Sequence, residues 1–558
     1  MIEAVAFIIC TIMILVTIFL SGYINERRAF ERYKKRLIDN YGKDCDKTYK
    51  DGALEHIAQY YEMHRTGFSI DDITWNDLDM DRVFMQLNYA QSSAGEEYLY
   101  YMLRNPELKE KDWSDFEEKV TYFMKNETDR QKMQVAFGKM GFTGKYSVYE
   151  YINTLDELGK SSILKEMLPN IFIIGSIVFS FFNMGYGLLC VFAGLIYNLI
   201  TYFKKKSEID PYITCFSYIF RLLTQIDRLN KLSMPVIKND MEELKEIKKK
   251  FQKFAKNSYL LMSPKRMSGD MMEIGIDYIR MFFHLDIIKF YSMLEEVRKY
   301  TAEIDEMISI IGKLDAYIAI GEYRTFLGDF CIPAYKKNTY DAKNIYHPLL
   351  KEPIKNDVQV HKSMLITGSN ASGKSTFLKT VALNAILSQS IHTACADEFV
   401  SDYYKIYSSI SLKDNIFDGD SYYMAEIKSI KRMLSSDDEN IPVLAFVDEV
   451  LRGTNTIERI AASGVILKKM AENPGFCFAA THDVELTHIL EAFFENVHFE
   501  ETITEGDICF NYKLLKGRAT TRNAIKLLEL MDYEKELIEQ AKASAEKFEQ
   551  TKAWEVLT

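Results

Sequence analysis

Residues 368–376 read Gly-Ser-Asn-Ala-Ser-Gly-Lys-Ser-Thr. They lie between an apolar run, Met364-Leu365-Ile366-Thr367, and a helix-like stretch from Phe377 to Gln389. A strand, a glycine loop and a helix in that order, with Gly368, Gly373, Lys374 and Ser375 at these spacings, specify a phosphate-binding loop. The glycines let the backbone curl so that several N–H groups point at one phosphate. The helix behind them adds its positive N-terminal end. Lys374 is placed to reach the β- and γ-phosphates and Ser375 to hold Mg²⁺, with Asn370 and Thr376 completing the loop.

Two more apolar runs end in polar residues suited to the same chemistry. Val443 to Val447 is followed by Asp448-Glu449, and Phe476 to Ala480 by Thr481-His482. Asp448 is expected to hold Mg²⁺, directly or through water, and Glu449 to orient or deprotonate an attacking water. His482, at the end of a strand beside the loop, is expected to meet the γ-phosphate or that water. Helix-like stretches at 377–389, 457–472 and 485–492 alternate with these strands, so the domain reads as α/β with its site at the strands' carboxyl ends. An acidic pair after an apolar run is weak evidence alone. With the loop and the histidine it is strong evidence for a nucleotide site with Mg²⁺.

The rest of the chain is different in kind. Its 558 residues call for two or more domains, and 47% apolar content excludes wholesale disorder. A net charge of −11 excludes a generally basic nucleic-acid-coating protein, though not a local basic groove. The eight cysteines are scattered without a C-x-x-C pair, which indicates neither a zinc site nor a disulfide framework. A reducing, cytosolic setting fits the soluble parts.

Ala4 to Gly22 carries no charge and is rich in Ile, Val, Leu and Phe. As a helix it would be roughly 28 Å long, about the hydrocarbon thickness. Arg27, Arg28, Arg32, Lys34, Lys35 and Arg36 follow it, so residue 25 onward is expected to be cytoplasmic. The run is long for the apolar part of a signal peptide and no small-residue cleavage site stands out, which favours a retained anchor. A second apolar block, Leu168 to Phe203, is interrupted by Asn183-Met184-Gly185-Tyr186-Gly187, a turn-like cluster. Lys165 flanks one end and Lys204-Lys205-Lys206 the other, as in a membrane hairpin with both ends cytoplasmic. A buried soluble hairpin is the alternative. Apolar residues on all sides rather than one favour the membrane.

Residues 25–160 and 207–335 carry helical stripes such as Phe220-Leu223-Ile226-Leu229 and Ile304-Met307-Ile308-Ile311, read as helix core. The basic stretch Lys245, Lys248, Lys249, Lys250, Lys253 and Lys256 is interleaved with Glu242, Glu243 and Glu246, so it reads as a solvated helix face rather than a phosphate-binding surface.

The nucleotide-site segments resemble the MutS family. The residues carrying the resemblance are Tyr346-His347-Pro348, the glycine loop with its Asn370, Asp448-Glu449 through Arg452-Gly453-Thr454-Asn455-Thr456, and Ala480-Thr481-His482 with Glu485-Leu486-Thr487. Ser421-Tyr422-Tyr423-Met424-Ala425-Glu426 is similar to the family's Ser-Thr-Phe-Met-x-Glu loop, and the resemblance implies that Ser421 reaches the nucleotide of a partner subunit. Upstream, Gly312-Lys313-Leu314-Asp315-Ala316, Leu78-Asp79-Met80-Asp81 through Gly95, and Leu103 to Pro106 resemble the family's core and lever region. About residues 70–160 and 270–545 are covered. The family's aromatic neighbour of adenine corresponds to Ile354. Ser369, Ala371 and Ser372 stand where Pro, Met and Gly are usual. The family's N-terminal mismatch-reading domain and its Gly-x-Phe-x-Glu wedge have no counterpart in these residues, the 207–270 stretch is short for a DNA-clamp domain, and the ABC transporter signature is absent.

The expected architecture is therefore multidomain α plus α/β. It comprises an anchor at 1–24, helical core and lever segments at 25–160 and 204–335, a transmembrane hairpin at 168–203, a P-loop ATPase domain at 336–545 and a tail at 546–558. The resemblance implies a homodimeric ATPase with DNA as the substrate class, and the apolar segments with their flanking cations place it at the cell membrane, its ATPase domain cytoplasmic. A mechanochemical ATPase acting on a membrane protein or lipid, and an ATP-gated scaffold, are the alternatives. Three spans are few for a transporter.

Overall fold

The computed structural model describes residues 2–152, 154–155, 158, 163–251, 278–369, 372–410, 422–435, 441–504, 507–519, 525, 528–529, 531, 533–551, 553–554 and 556. Asn370, Ser421, Lys253 and Lys256 lie outside these. The chain divides into two compact units, one of residues 1–65, 85–102 and 112–326, the other of residues 66–84, 103–111 and 327–558.

The second unit is built on a six-stranded sheet. Its strands are β4 (Ser363–Thr367), β6 (Lys405–Ser409), β7 (Val443–Asp448), β8 (Gly475–Ala480), β9 (Phe494–His498) and β12 (Leu515–Lys516), in the order β12-β9-β4-β8-β7-β6. All pairs are parallel except β12 with β9. Every residue of β4 is buried, as a parallel strand covered on both faces requires. The register sets Asp448 opposite Ala480 and Ile366 opposite Ala480, so β4, β7 and β8 end at one level.

A second sheet, in the order β1-β5-β2-β3, is formed by β1 (Ala334–Tyr335), β2 (Tyr340–Ile345), β3 (Asn356–Gln359) and β5 (Glu398–Ser401). These strands are short and mixed in polarity, and no sequence periodicity announced them. The hairpin β10 (Glu501–Thr504) and β11 (Asp507–Phe510) completes the strands.

Residues 66–84, which the sequence places in the helical core, group with this second unit. The reason is the edge strand β6, whose exposed N–H groups need partners. Thr74 Oγ1 accepts from Ser408 N at 3.1 Å, and Asp77 accepts from Ser408 Oγ at 2.7 Å and Ile410 N at 2.8 Å. Asp71 caps the short helix Asp72–Asp77 by accepting from Thr74 N at 2.8 Å, and pairs with Arg432 at 2.6 Å.

The first unit is helical. Its labelled helices are α1 (Ile2–Asp39), α2 (Ser93–Arg104), α3 (Glu127–Met140), α4 (Ile163–Ser180), α5 (Met184–Asn230), α6 (Leu285–Lys299) and α7 (Thr301–Leu327). Phe137, Phe216, Leu222, Ile226, Phe290 and Ile311 lie in its core. The Ile304-Met307-Ile308-Ile311 stripe is fully buried. The described part of the basic stretch, Lys245 to Lys250, lies on helix Lys238–Lys250, where Lys248 pairs with Asp227 at 2.5 Å, Lys249 with Glu246 at 2.6 Å and Lys250 with Glu303 at 2.8 Å, in keeping with a solvated, ion-paired face.

The apolar block forms a helical hairpin, with two differences from expectation. The turn is confined to residues 181–183, because the Asn183 side chain accepts from Tyr186 N at 3.3 Å and starts α5 there; Met184 to Gly187 are helical. Nor does the helix end at Phe203: α5 passes through the lysine triplet to Asn230, 47 residues in all. Both α4 and α5 are long and apolar enough to cross a membrane. Phe172, Ile174, Phe181, Phe182, Phe192 and Ile200 are exposed along them. α1 likewise continues without a break from its apolar stretch through the basic cluster.

Asp315 of α7 accepts from Gln91 N at 3.0 Å and Ser92 Oγ at 2.6 Å, holding the backbone that enters α2. Burial pushes its carboxyl up to about 6, against those donors and Lys47. The folded unit thus holds this proton more tightly than the unfolded chain. The associated stability is complete below the ordinary aspartate pKa and is lost as pH rises through about 6. Wild type is expected to lose about 1–3 kcal/mol more than Asp315→Asn between pH 4 and pH 7. Parallel denaturation curves of the two proteins across this range would refute it. Glu322, pushed up to about 7 by burial, shifts both proteins alike.

Candidate nucleotide site

At the end of β4 the chain turns through Gly368, at φ 142°. A Cβ there would lie 2.8 Å from Ser372 Oγ and 2.9 Å from Phe499 O, so no larger residue fits. Gly373 then starts α8 (Lys374–Ile391), whose first N–H groups have no carbonyl within the helix. Lys374 is buried, and its ammonium donates to Gly368 O and Ser369 O, both at 2.8 Å. Burial pushes its pKa down, opposed by Asp448, Glu449 and Glu501.

Ser375 Oγ donates to Asp448 Oδ2. Burial pushes the Asp448 carboxyl up, with Ser375 and Lys374 opposing. A hydroxyl and a carboxylate side by side at a helix N-terminus fit Mg²⁺, which takes few protein oxygens and completes its octahedron with water and phosphate. Among the described residues no group of three or more His, Cys, Asp or Glu side chains is placed to hold a metal ion.

Glu449 lies just beyond β7 in the left-handed region, φ 55°, with its N–H donating to Ala480 O at 3.0 Å. Its carboxylate is held on both sides: Oε1 is 2.9 Å from His482 Nε2 and Oε2 is 2.9 Å from Arg452 Nε. His482 Nε2 is also 3.2 Å from Lys374 Nζ. One ring nitrogen cannot donate and accept at once. With the Lys374 ammonium already bonded to two carbonyls, the tautomer bearing hydrogen on Nε2 and donating to Glu449 fits best. Burial and the neighbouring Lys374 push His482 below the ordinary histidine pKa, which keeps the ring neutral at pH 7. The next residue, Asp483, is clamped by Arg459 of α10 (Thr456–Glu472; α9 is Tyr422–Leu434) through two bonds of 3.0 and 2.6 Å. A bidentate guanidinium–carboxylate pair of this kind fixes the strand end that carries His482.

Lys374, Ser375, Asp448, Glu449 and His482 thus meet at one edge of the sheet. Asn370 and Ser421 lie outside the described residues. Ile354 is exposed in the loop before β3. That loop is tied to the later chain, since Asn356 Nδ2 donates to Tyr512 O at 3.0 Å and Leu514 N to Asn356 Oδ1 at 2.9 Å. Sequence reasoning missed three neighbours. Ser369 Oγ donates to Glu501 Oε2 at 2.6 Å, the Tyr512 ring comes within 3.0 Å of where a Gly373 Cβ would stand, and Glu426 meets the turn after Glu449. Only Glu426 had a sequence signal, its place in the quoted Ser421–Glu426 segment.

Residues 364–549 match MutS domain V. The chain is 29% identical over 259 residues to the DNA mismatch repair protein MutS of Thermus thermophilus, covering 46% of this chain and 31% of that protein. It is 30% identical over 286 residues to human MutS protein homolog 4, covering 48% and 30% respectively. Over 355 residues it is 24% identical to MutS of Lactobacillus helveticus, covering 61% and 39%. The match spans roughly a third of the length of these curated relatives.

Proposed function

We propose that this chain, whose residues 364–549 match MutS domain V, is a MutS-family protein that binds and hydrolyses ATP with the residues gathered at the ends of β4, β7 and β8. The observation that carries this reading is the meeting of Lys374, Ser375, Asp448, Glu449 and His482 at one sheet edge. Phosphate oxygens take over the Lys374 ammonium from the loop carbonyls and accept from the N–H groups that open α8. Ser375 and Asp448 would hold Mg²⁺, which supplies charge neutralisation at the phosphates. Glu449 takes or orients the proton of the attacking water, and neutral His482 holds Glu449 in place. Arg452 leaves the Glu449 carboxylate free to do so only by swinging away, which its exposed position allows.

The family resemblance supports a homodimer in which Ser421 of the partner subunit faces the nucleotide. Closure of the pair would exclude water and hydrolysis would reopen it. The exposed apolar faces of α4 and α5 support a membrane hairpin, with α1 as a further anchor and the ATPase unit cytoplasmic. DNA is the substrate class carried by the relatives' names, and mismatch reading is not part of the proposal. The exposed hairpin favours one second reading, an ATPase that acts on a membrane protein.

ATP turnover of detergent-solubilised full-length protein decides between them, measured without DNA and with linear, mismatched and branched duplexes, against Glu449→Gln. Stimulation by any duplex is the expected result for a DNA-directed enzyme. Robust turnover indifferent to every duplex would favour the membrane-protein motor.

A further inference from the structure

Two residues of the turn after β7, Glu449 and Leu451, take left-handed backbone angles, φ 55° and 58°. Neither is glycine, so the turn stands only while its surroundings hold it. Three contacts do so. Tyr423 of α9 packs against Gly453, where a Cβ would lie 3.2 Å from the Tyr423 Cβ. Ser463 Oγ of α10 donates to Val450 O at 3.1 Å. Glu426, on the second turn of α9 and only 3% exposed, accepts from Leu451 N through Oε1, and the Arg452 amide faces the same carboxylate.

We propose that Glu426 is a positioning residue for Glu449: its buried carboxylate, received by the Leu451 and Arg452 amides, holds the turn that aims Glu449 at His482 and the attacking water. The assignment rests on the ATPase reading given above. Glu426 is bonded to the turn that follows Glu449, so its work is on the chemical step and not on the grip on phosphate. A buried acidic side chain beside another carboxylate is an unfavourable neighbour for Glu449, and burial together with Glu449 raises the Glu426 pKa. An acceptor for the Leu451 amide, with the Arg452 amide facing the same carboxylate, is what outweighs that repulsion on a left-handed turn. Without it the Leu451 amide would be buried and unpaired, and the turn would relax toward ordinary angles, carrying Glu449 with it. Displacing a catalytic group by about 1 Å is enough to cost on the order of 100-fold in rate.

The test compares full-length wild type, Glu449→Gln, Glu426→Ala and Glu426→Gln. It measures kcat and KM for ATP and the equilibrium binding of a fluorescent ATP analogue. Glu426→Ala is expected to lower kcat by about 10- to 100-fold while analogue affinity stays within about twofold. Glu426→Gln keeps an acceptor oxygen and is expected to recover most of the rate. Wild type outpacing Glu449→Gln while Glu426→Ala matches wild type would overturn this assignment and leave the ATPase reading standing. So would equal losses of affinity and kcat in Glu426→Ala with no recovery in Glu426→Gln. A wild type no faster than Glu449→Gln would overturn the ATPase reading and this assignment with it.

Discussion

Lys374→Ala is expected to weaken nucleotide binding and turnover together, whereas Glu449→Gln is expected to remove turnover alone. The two side chains sit within one cluster, yet they touch different parts of the chemistry. Lys374 is the buried cation of the glycine loop, held over its carbonyls at Gly368 and Ser369. Removing it deletes the loop's full positive charge. A charge-assisted hydrogen bond contributes about 1.5–3 kcal/mol, so affinity for ATP should fall by about 10- to 100-fold or more. Glu449 instead faces His482 and Arg452, beyond the loop. The carboxamide of Gln keeps the shape and still accepts from His482 Nε2, but it cannot take a proton. Loss of a general base costs about 10²- to 10⁴-fold, here with ATP still bound. Analogue binding and single-turnover hydrolysis, measured on the same preparations, separate the two. Turnover that survives either substitution would remove the cluster from the chemistry.

That cluster was legible in the sequence because Asp448, Glu449 and His482 stand at or just beyond the ends of buried parallel strands, and Lys374 and Ser375 follow another such strand across the glycine loop. Continuous apolar runs mark such strands, and the polar residue that ends each run marks the level at which the sheet stops. Asp448 and Ala480 are set opposite each other by register, so an acidic pair after one run and a histidine after the next were bound to meet. The α4–α5 hairpin was legible for a related reason, since no buried-core period appears in it. Its turn was misplaced because two glycines were taken for turn residues. Gly187 serves instead to let α5 approach α4, for a Cβ on it would lie 2.3 Å from Ser180 Cα. The attachment of residues 66–84 to the β6 edge was hidden for want of any local pattern: Asp77 meets Ser408 more than three hundred residues along the chain. The second sheet escaped notice because β2 and β3 carry Asp341, Lys343, Asn356 and Asp357 among few apolar residues. Glu501 looks like an ordinary surface acid in sequence, Glu426 is marked only by its place in the Ser421–Glu426 segment, and the folded loops alone give them partners.

Gly312→Ala is expected to destabilise the helical unit, although it places the best helix former in the interior of a helix. The gain in propensity is about 1 kcal/mol. Against it stands the crossing of α7 with α2. A Cβ on Gly312 would lie 2.5 Å from Ala94 O and 2.9 Å from Tyr98 Cβ, distances at which real side chains are not found. The nearer atom is a backbone carbonyl, which cannot rotate aside as a side chain can. The helices must therefore separate. Separation loosens the second close contact of the same crossing, where Gly95 lies against Asp315; a Cβ on Gly95 would come within 2.3 Å of Asp315 Oδ2. It also stretches the bonds from Gln91 N and Ser92 Oγ to that buried carboxylate. Overpacking of this kind costs about 1–3 kcal/mol, and weakened bonds to a buried carboxylate add about 1–3 kcal/mol. The sum exceeds the propensity gain, so Gly312→Ala should lose about 1–5 kcal/mol net, and Gly312→Val more, since its branched side chain adds volume at the same crossing. Gly175 of α4 offers the contrast: nothing lies within 4 Å of a Cβ placed there, and Gly175→Ala should stay within about 1 kcal/mol of wild type. Thermal unfolding of the three full-length variants beside wild type reads the difference directly. A Gly312→Ala midpoint at or above that of wild type would show that the crossing gives way without cost, and the close packing of α2 on α7 at Gly95 and Gly312 would then not explain why glycine stands at either position.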